Sequence, residues 1–114
     1  MADPSIVFWT TLPGGSKLTA SATQKPGTPG TFAATGSFLD HTGNSIKIQQ
    51  LPFSADLKAN SSYQLVLEIL PVGGAVVDVS VVVTKGGQAI RKTNWAPIQG
   101  GPGMRGVFAR TEKA

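Results

Sequence analysis

The stretch from Tyr63 to Lys85 constrains the fold most: YQLVLEIL, then PVGGA, then VVDVSVVVTK. Both runs alternate with a period of two, the mark of strands that bury one face. Tyr63, Leu65, Leu67 and Ile69 share a face of the first run, and Val77, Val79, Val81 and Val83 share a face of the second. The Gly-containing connection predicts an antiparallel hairpin. A five-residue loop, Pro71 to Ala75, sets Ile69 against Val77, Leu67 against Val79, Leu65 against Val81 and Tyr63 against Val83. A one-residue slip would turn an apolar set outward. The same register places Glu68 opposite Asp78 on the outer side, where like charges repel unless a cation or a base balances them.

The rest of the chain supplies further short strands. Residues Ser5 to Leu12, Lys17 to Thr23, Thr31 to Leu39 and Ser45 to Leu51 each read as one. They are separated by Pro/Gly-rich turns, the punctuation of an all-β protein. Strand one has apolar residues on both faces, so it is either covered on both sides or leaves Trp9 partly exposed. Gly36 inside the third run marks a bulge or a close approach of backbone. Phe53 is expected to cap the core. Gly86-Gly87 predicts a two-residue primed turn. It leads into Gln88 to Trp95, with Ile90 opposite Val83, Arg91 opposite Val82 and Lys92 opposite Val81. So polar a strand reads as a sheet edge. Pro97 to Gly106 reads as a long irregular loop, Val107 to Arg110 as a last strand, and residues 111–114 as a frayed tail.

One segment carries a resemblance. Leu57 to Tyr63 (LKANSSY) has a leucine, a polar bend and a tyrosine that opens a strand, and it resembles the tyrosine corner of immunoglobulin-like and fibronectin type III sandwiches. It departs from the fibronectin form in having Ala59 where proline is usual. A similar bend precedes strands in jelly-roll carbohydrate-binding modules. The resemblance implies that the Tyr63 hydroxyl bonds to backbone between Leu57 and Asn60. The expected fold is therefore an all-β antiparallel sandwich of seven to nine short strands, immunoglobulin-like in the broad sense, formed by residues 1–114 as one domain.

Composition bounds the chemistry. The chain has 114 residues, no cysteine and one histidine. No disulfide or thiolate metal site can form, and a lone histidine cannot supply the ligands of a zinc site. His41 follows Asp40 in a turn, where adjacent side chains diverge, so nucleophilic catalysis has little to stand on. The chain is not expected to be an enzyme. Glu68 and Asp78, about 5 Å apart in the hairpin register, match the carboxylate spacing of retaining glycosidases and are a candidate calcium site. Otherwise no cofactor is expected. The simpler reading is two solvated carboxylates on an open sheet.

Net charge is +4, and it is uneven. Lys85, Arg91, Lys92, Arg105, Arg110 and Lys113 stand against Glu112 alone after residue 84. Basic residues near Trp95 and Phe108 suggest contact with an anionic polymer such as nucleic acid, or simply a solvated edge that resists aggregation. The Gly-rich loop around Arg105 lacks the Lys-Ser/Thr ending of a phosphate loop. Trp9 and Trp95 are candidate platforms for sugar rings, against the commoner role of core packing.

The candidate binding residues are thus Arg91, Trp95, Arg105 and Trp9, with Glu68 and Asp78 as candidate metal ligands. The expected function is a binding module for a protein or glycan, acting through loops or a sheet edge. The alternative is an assembly subunit that forms homo-oligomers by pairing through Gln88 to Trp95. No run is long enough to span a membrane. The first fifteen residues lack the basic region and apolar core of a signal peptide. A cysteine-free chain of this kind fits the cytoplasm or non-classical bacterial export.

Overall fold

The computed structural model describes residues 6–113. Pro4 and Ser5, at the expected start of the first strand, and Ala114, at the end of the expected tail, lie outside the described residues. Among the described residues nine strands form two sheets packed as a sandwich. They are β1 (Ile6–Leu12), β2 (Ser16–Gln24), β3 (Thr31–Asp40), β4 (Ser45–Ile48), β5 (Phe53–Leu57), β6 (Ser62–Val72), β7 (Val77–Lys85), β8 (Gln88–Asn94) and β9 (Gly103–Thr111). The five-stranded sheet has the order β1-β9-β6-β3-β4, and the four-stranded sheet β5-β2-β7-β8. Neighbours are antiparallel except β1 and β9, which run parallel.

The central stretch keeps its predicted faces but not its predicted pairing. Tyr63, Leu65, Leu67 and Ile69 are buried, and so are Val77, Val79, Val81 and Val83. Yet β6 and β7 lie in different sheets. β6 is bonded between β3 and β9, and β7 between β2 and β8. The two apolar rows therefore belong to one core as facing layers, not as a hairpin. Period-two alternation names the face that leaves water; it does not choose between lateral pairing and stacking across a core. Gly73 and Gly74, at φ +71° and +90°, turn the chain from one sheet to the other.

Other boundaries also move. Phe53 does not merely cap the core: it opens β5, whose Phe53, Ala55 and Leu57 alternate inward beside β2. β9 begins at Gly103, inside the expected loop. Ile98 ties the remainder of that loop down by exchanging two backbone hydrogen bonds with Val77, at 2.9 and 3.0 Å. The tail is not frayed at Thr111, which is buried, and Glu112 donates its N–H to Leu12 O at 2.8 Å.

The Gly86-Gly87 turn forms with φ of +60° and +82°, and β8 is an edge strand as expected. Its register follows the prediction only for Lys85–Gln88 and Thr84–Ala89. A bulge at Ile90 then sets Arg91 opposite Val83 and Lys92 opposite Val82. The extra residue moves Lys92 to the outward Val82 and leaves Arg91, on this edge strand, opposite the buried Val83.

The bend before β6 behaves as the tyrosine-corner resemblance implies. The Tyr63 hydroxyl accepts the backbone N–H of Lys58 at 2.7 Å. Asn60 holds the left-handed conformation there at φ +54°, which asparagine tolerates better than most residues. Among the described residues no helix is long and apolar enough to cross a membrane.

Candidate interaction surface

The two outer faces of the sandwich differ in chemistry. On the four-stranded sheet the outward positions of β2 are Lys17, Thr19, Ser21 and Thr23, and those of β7 are Asp78, Ser80, Val82 and Thr84. Hydroxyls bridge neighbouring strands there: Thr19 Oγ1 to Ser54 Oγ at 3.1 Å and Ser21 Oγ to Ser80 Oγ at 3.0 Å. This face is polar and its side chains partner one another.

The five-stranded sheet is the opposite case. The exposed large apolar side chains among the described residues are Ile6, Phe8, Leu39, Ile46, Leu70, Val72, Met104 and Phe108. All of them belong to this sheet. Ile46 pairs with the buried Phe38 at the β4 edge; the others point away from the core. The ladder registers arrange them in rows. Phe8, Phe108, Gln64, Leu39 and Ser45 form one row across all five strands. Ile6, Gly106, Val66, Ser37 and Lys47 form the next. Met104, Glu68 and Thr35 follow. Isolated exposed hydrophobics are ordinary, whereas a contiguous set on one face marks an interaction surface.

The aromatic end of this face is built by the parallel pairing of β1 with β9. Phe8 is directly beside Phe108 in register, and their rings stack with centroids 5.2 Å apart and planes within 9°. Phe8 remains 71% exposed and Phe108 36%. A groove of about 250 Å³ runs along them, bounded by Ser62, Tyr63 and Arg110 among others. A shallow depression of about 420 Å³ lies farther along the face between Thr35, Ser45, Lys47, Val66 and Glu68. Gln64, Glu68, Lys47 and Arg110 are the long polar side chains on this face, with Thr35, Ser37, Ser45 and Ser62 between them.

The residues singled out from sequence are not gathered at one place. Trp95 is 4% exposed and joins the core, which corrects its reading as a platform: a ring closed off from solvent offers no face to a ligand. Trp9 also turns inward, paired with the buried Ala109 and packed against the core. Its neighbour Phe8 takes the exposed position. Arg105 donates to Ala96 O at 3.2 Å and to Met104 O at 2.9 Å, so it fastens the loop before β9. Arg91 stands on the β8 edge and donates to Ile90 O at 2.9 Å. Lys85 Nζ reaches Gly14 O at 2.9 Å.

Glu68 and Asp78 do not meet. Glu68 is outward on the five-stranded sheet, between Thr35 and Met104. Asp78 is outward on the other sheet, opposite Thr23. The proximity inferred from the hairpin register fails with that register, and the joint calcium site and the carboxylate pair lose their geometric basis. Among the described residues no group of three or more His, Cys, Asp or Glu side chains gathers to hold a metal ion.

Sequence reasoning passed over Phe8 and read Phe108 only as an aromatic beside the basic cluster. The available signal was the run Ile6-Val7-Phe8-Trp9, apolar on both faces at once. No family model matches this chain, and searches of characterised proteins and of solved structures return no match.

Proposed function

We propose that this chain is a non-enzymatic interaction module that takes a protein or glycan partner on the outer face of its five-stranded sheet. One observation carries this reading: the exposed large apolar side chains among the described residues concentrate on that sheet, while the opposite outer face is lined by paired hydroxyls. Such asymmetry costs solubility and is retained where a partner covers the apolar side. We also read the sandwich as immunoglobulin-like in the broad sense, supported by the bond between the Tyr63 hydroxyl and Lys58 N–H. Pairing through the β8 edge is the weaker reading, because Arg91 and Lys92 there favour solvent over another strand. The dispersal of Arg91, Lys92 and Arg110 over different surfaces speaks against a single track for nucleic acid.

The test compares Phe8→Ser/Phe108→Ser with Thr19→Ala/Ser80→Ala, which alters the polar face, as baits against a glycan panel and native extract. Partners captured by the wild type are expected to be lost from the first variant and kept by the second. Retention of the same partners at the same strength by the first variant would overturn the proposal.

A further inference from the structure

The proposed face is self-complementary about a line running across its strands. Consider a two-fold axis lying between the row of Phe8, Phe108 and Gln64 and the row of Ile6, Gly106 and Val66. The operation turns each strand over its own counterpart, antiparallel. Phe8 then rests on the partner's Ile6, and Gln64 on the partner's Val66. Phe108 faces the partner's Gly106, which is buried, with the Ile6 side chain beside the space its Cβ would take, so Phe108 and Phe8 both come over the partner's Ile6. Arg110, paired with Ser62 one step beyond Phe108, comes over the partner's Met104. It lies one strand away from the partner's Glu68. Each of these contacts occurs twice, as a two-fold interface requires.

Charge and area agree with this arrangement. The outward charges Glu68, Lys47 and Arg110 include both signs, so the face carries little of the chain's net charge of +4. The axis brings the acidic and one basic group together across the interface. The overlap spans the seven residues of β9 from Met104 to Arg110, with residues 6–10 of β1, 62–68 of β6, 35–40 of β3 and the four residues of β4 beside them. At about 3.3 Å per residue and about 4.8 Å per strand, these strand residues contribute roughly 460 Å² per copy before side-chain relief is added. The total of roughly 920 Å² lies at the ~1,000 Å² boundary, the size of a weak, reversible interface. Leu70 and Val72 lie beyond the overlap.

We infer that the occupant of this face is a second copy of the chain, docked sheet to sheet about that axis, with Arg110 paired to Glu68 of the partner subunit. The inference rests on the reading of this face as an interaction surface. Sedimentation across the micromolar range is expected to show a monomer–dimer equilibrium. Arg110→Glu or Glu68→Arg alone weakens it about ten-fold, because the repulsion is introduced twice. The two substitutions in one chain restore it. Leu70→Ser/Val72→Ser leaves it unchanged. A monomer throughout, a dimer indifferent to the charge substitutions, or one broken only by Arg91→Glu/Lys92→Glu overturns the inference.

An apolar dye, anilinonaphthalene sulfonate, separates the two proposals when added to protein dilute enough to be monomeric. Dye fluorescence that falls in Phe8→Ser/Phe108→Ser, beside a wild type that never dimerises, overturns the second copy and leaves the apolar face standing. Dye that ignores both substitutions overturns both.

Discussion

The phenolic oxygen of Tyr63 accepts the backbone N–H of Lys58 at 2.7 Å, while the same ring stacks on Phe38 with centroids 5.4 Å apart. One side chain thus anchors the bend and fills the core below it. Tyr63→Phe keeps the stacking and removes the acceptor. The expected loss is about 1–2 kcal/mol, the cost of leaving a partly buried N–H unpaired. Urea denaturation measures it, with an unchanged far-ultraviolet spectrum showing that the fold persists.

Thr111 closes the same bend from the other side. Its hydroxyl accepts the Ser61 N–H at 2.8 Å and donates to Lys58 O at 2.6 Å, and the residue is 5% exposed. Thr111→Val preserves shape and strands both groups. A loss of about 1–3 kcal/mol is expected, larger than that of Thr111→Ser, in the same urea experiment.

Gly36 is held where β3 crosses close to β6. A Cβ there would overlap the carbonyl oxygen of Val66. Gly36→Ala therefore has to push the two central strands apart. A destabilisation of about 1–3 kcal/mol is expected. Calorimetry checks it, with Gly27→Ala as a control whose added methyl meets nothing within 4 Å but which pays for its positive φ.

Asp40 governs acid behaviour at the hairpin between β3 and β4. Its Oδ1 accepts the Thr42 hydroxyl at 2.6 Å, the Thr42 N–H at 3.0 Å and the Asn44 N–H at 3.1 Å. The Thr42 hydroxyl is the main reason its pKa lies below the ordinary 3.8, with desolvation opposing and the Asn44 and Thr42 N–H groups adding to the lowering. A lowered folded value means that the stabilisation is complete above the unfolded pKa and vanishes as pH falls through the folded one. Carboxyl NMR is expected to show Asp40 titrating below an unstructured aspartate. Thr42→Val should raise its midpoint, and an unmoved midpoint would refute the assignment.

How much of this was legible beforehand differs by level. The buried faces of β6 and β7 were readable because alternation reports hydration directly. Their partners were not, since a strand's apolar face is the same whether its neighbour lies beside it or across the core. That single ambiguity produced the false nearness of Glu68 and Asp78. β5 was readable in principle from Phe53, Ala55 and Leu57, but five residues ending near a tight bend gave a weak period. Trp9 drew attention by residue type, whereas the exposed position belongs to Phe8. Which of two apolar faces meets the core is decided by the pairing of β1 with β9, residues separated by most of the chain.

That parallel pairing has a mechanical consequence. Ile6 aligns with Gly106 and Leu12 with Thr111, so the leading end of β1 and the trailing end of β9 sit at opposite ends of one ladder. Tension applied to β1 at Ile6 and to β9 at Thr111 loads the hydrogen bonds of the regular part of the ladder, Ile6 to Trp9, in shear, with the register shift between Trp9 and Leu12 interrupting it beyond. In this geometry β1 leaves β9 under such tension only by sliding along it, past the Phe8–Phe108 stack.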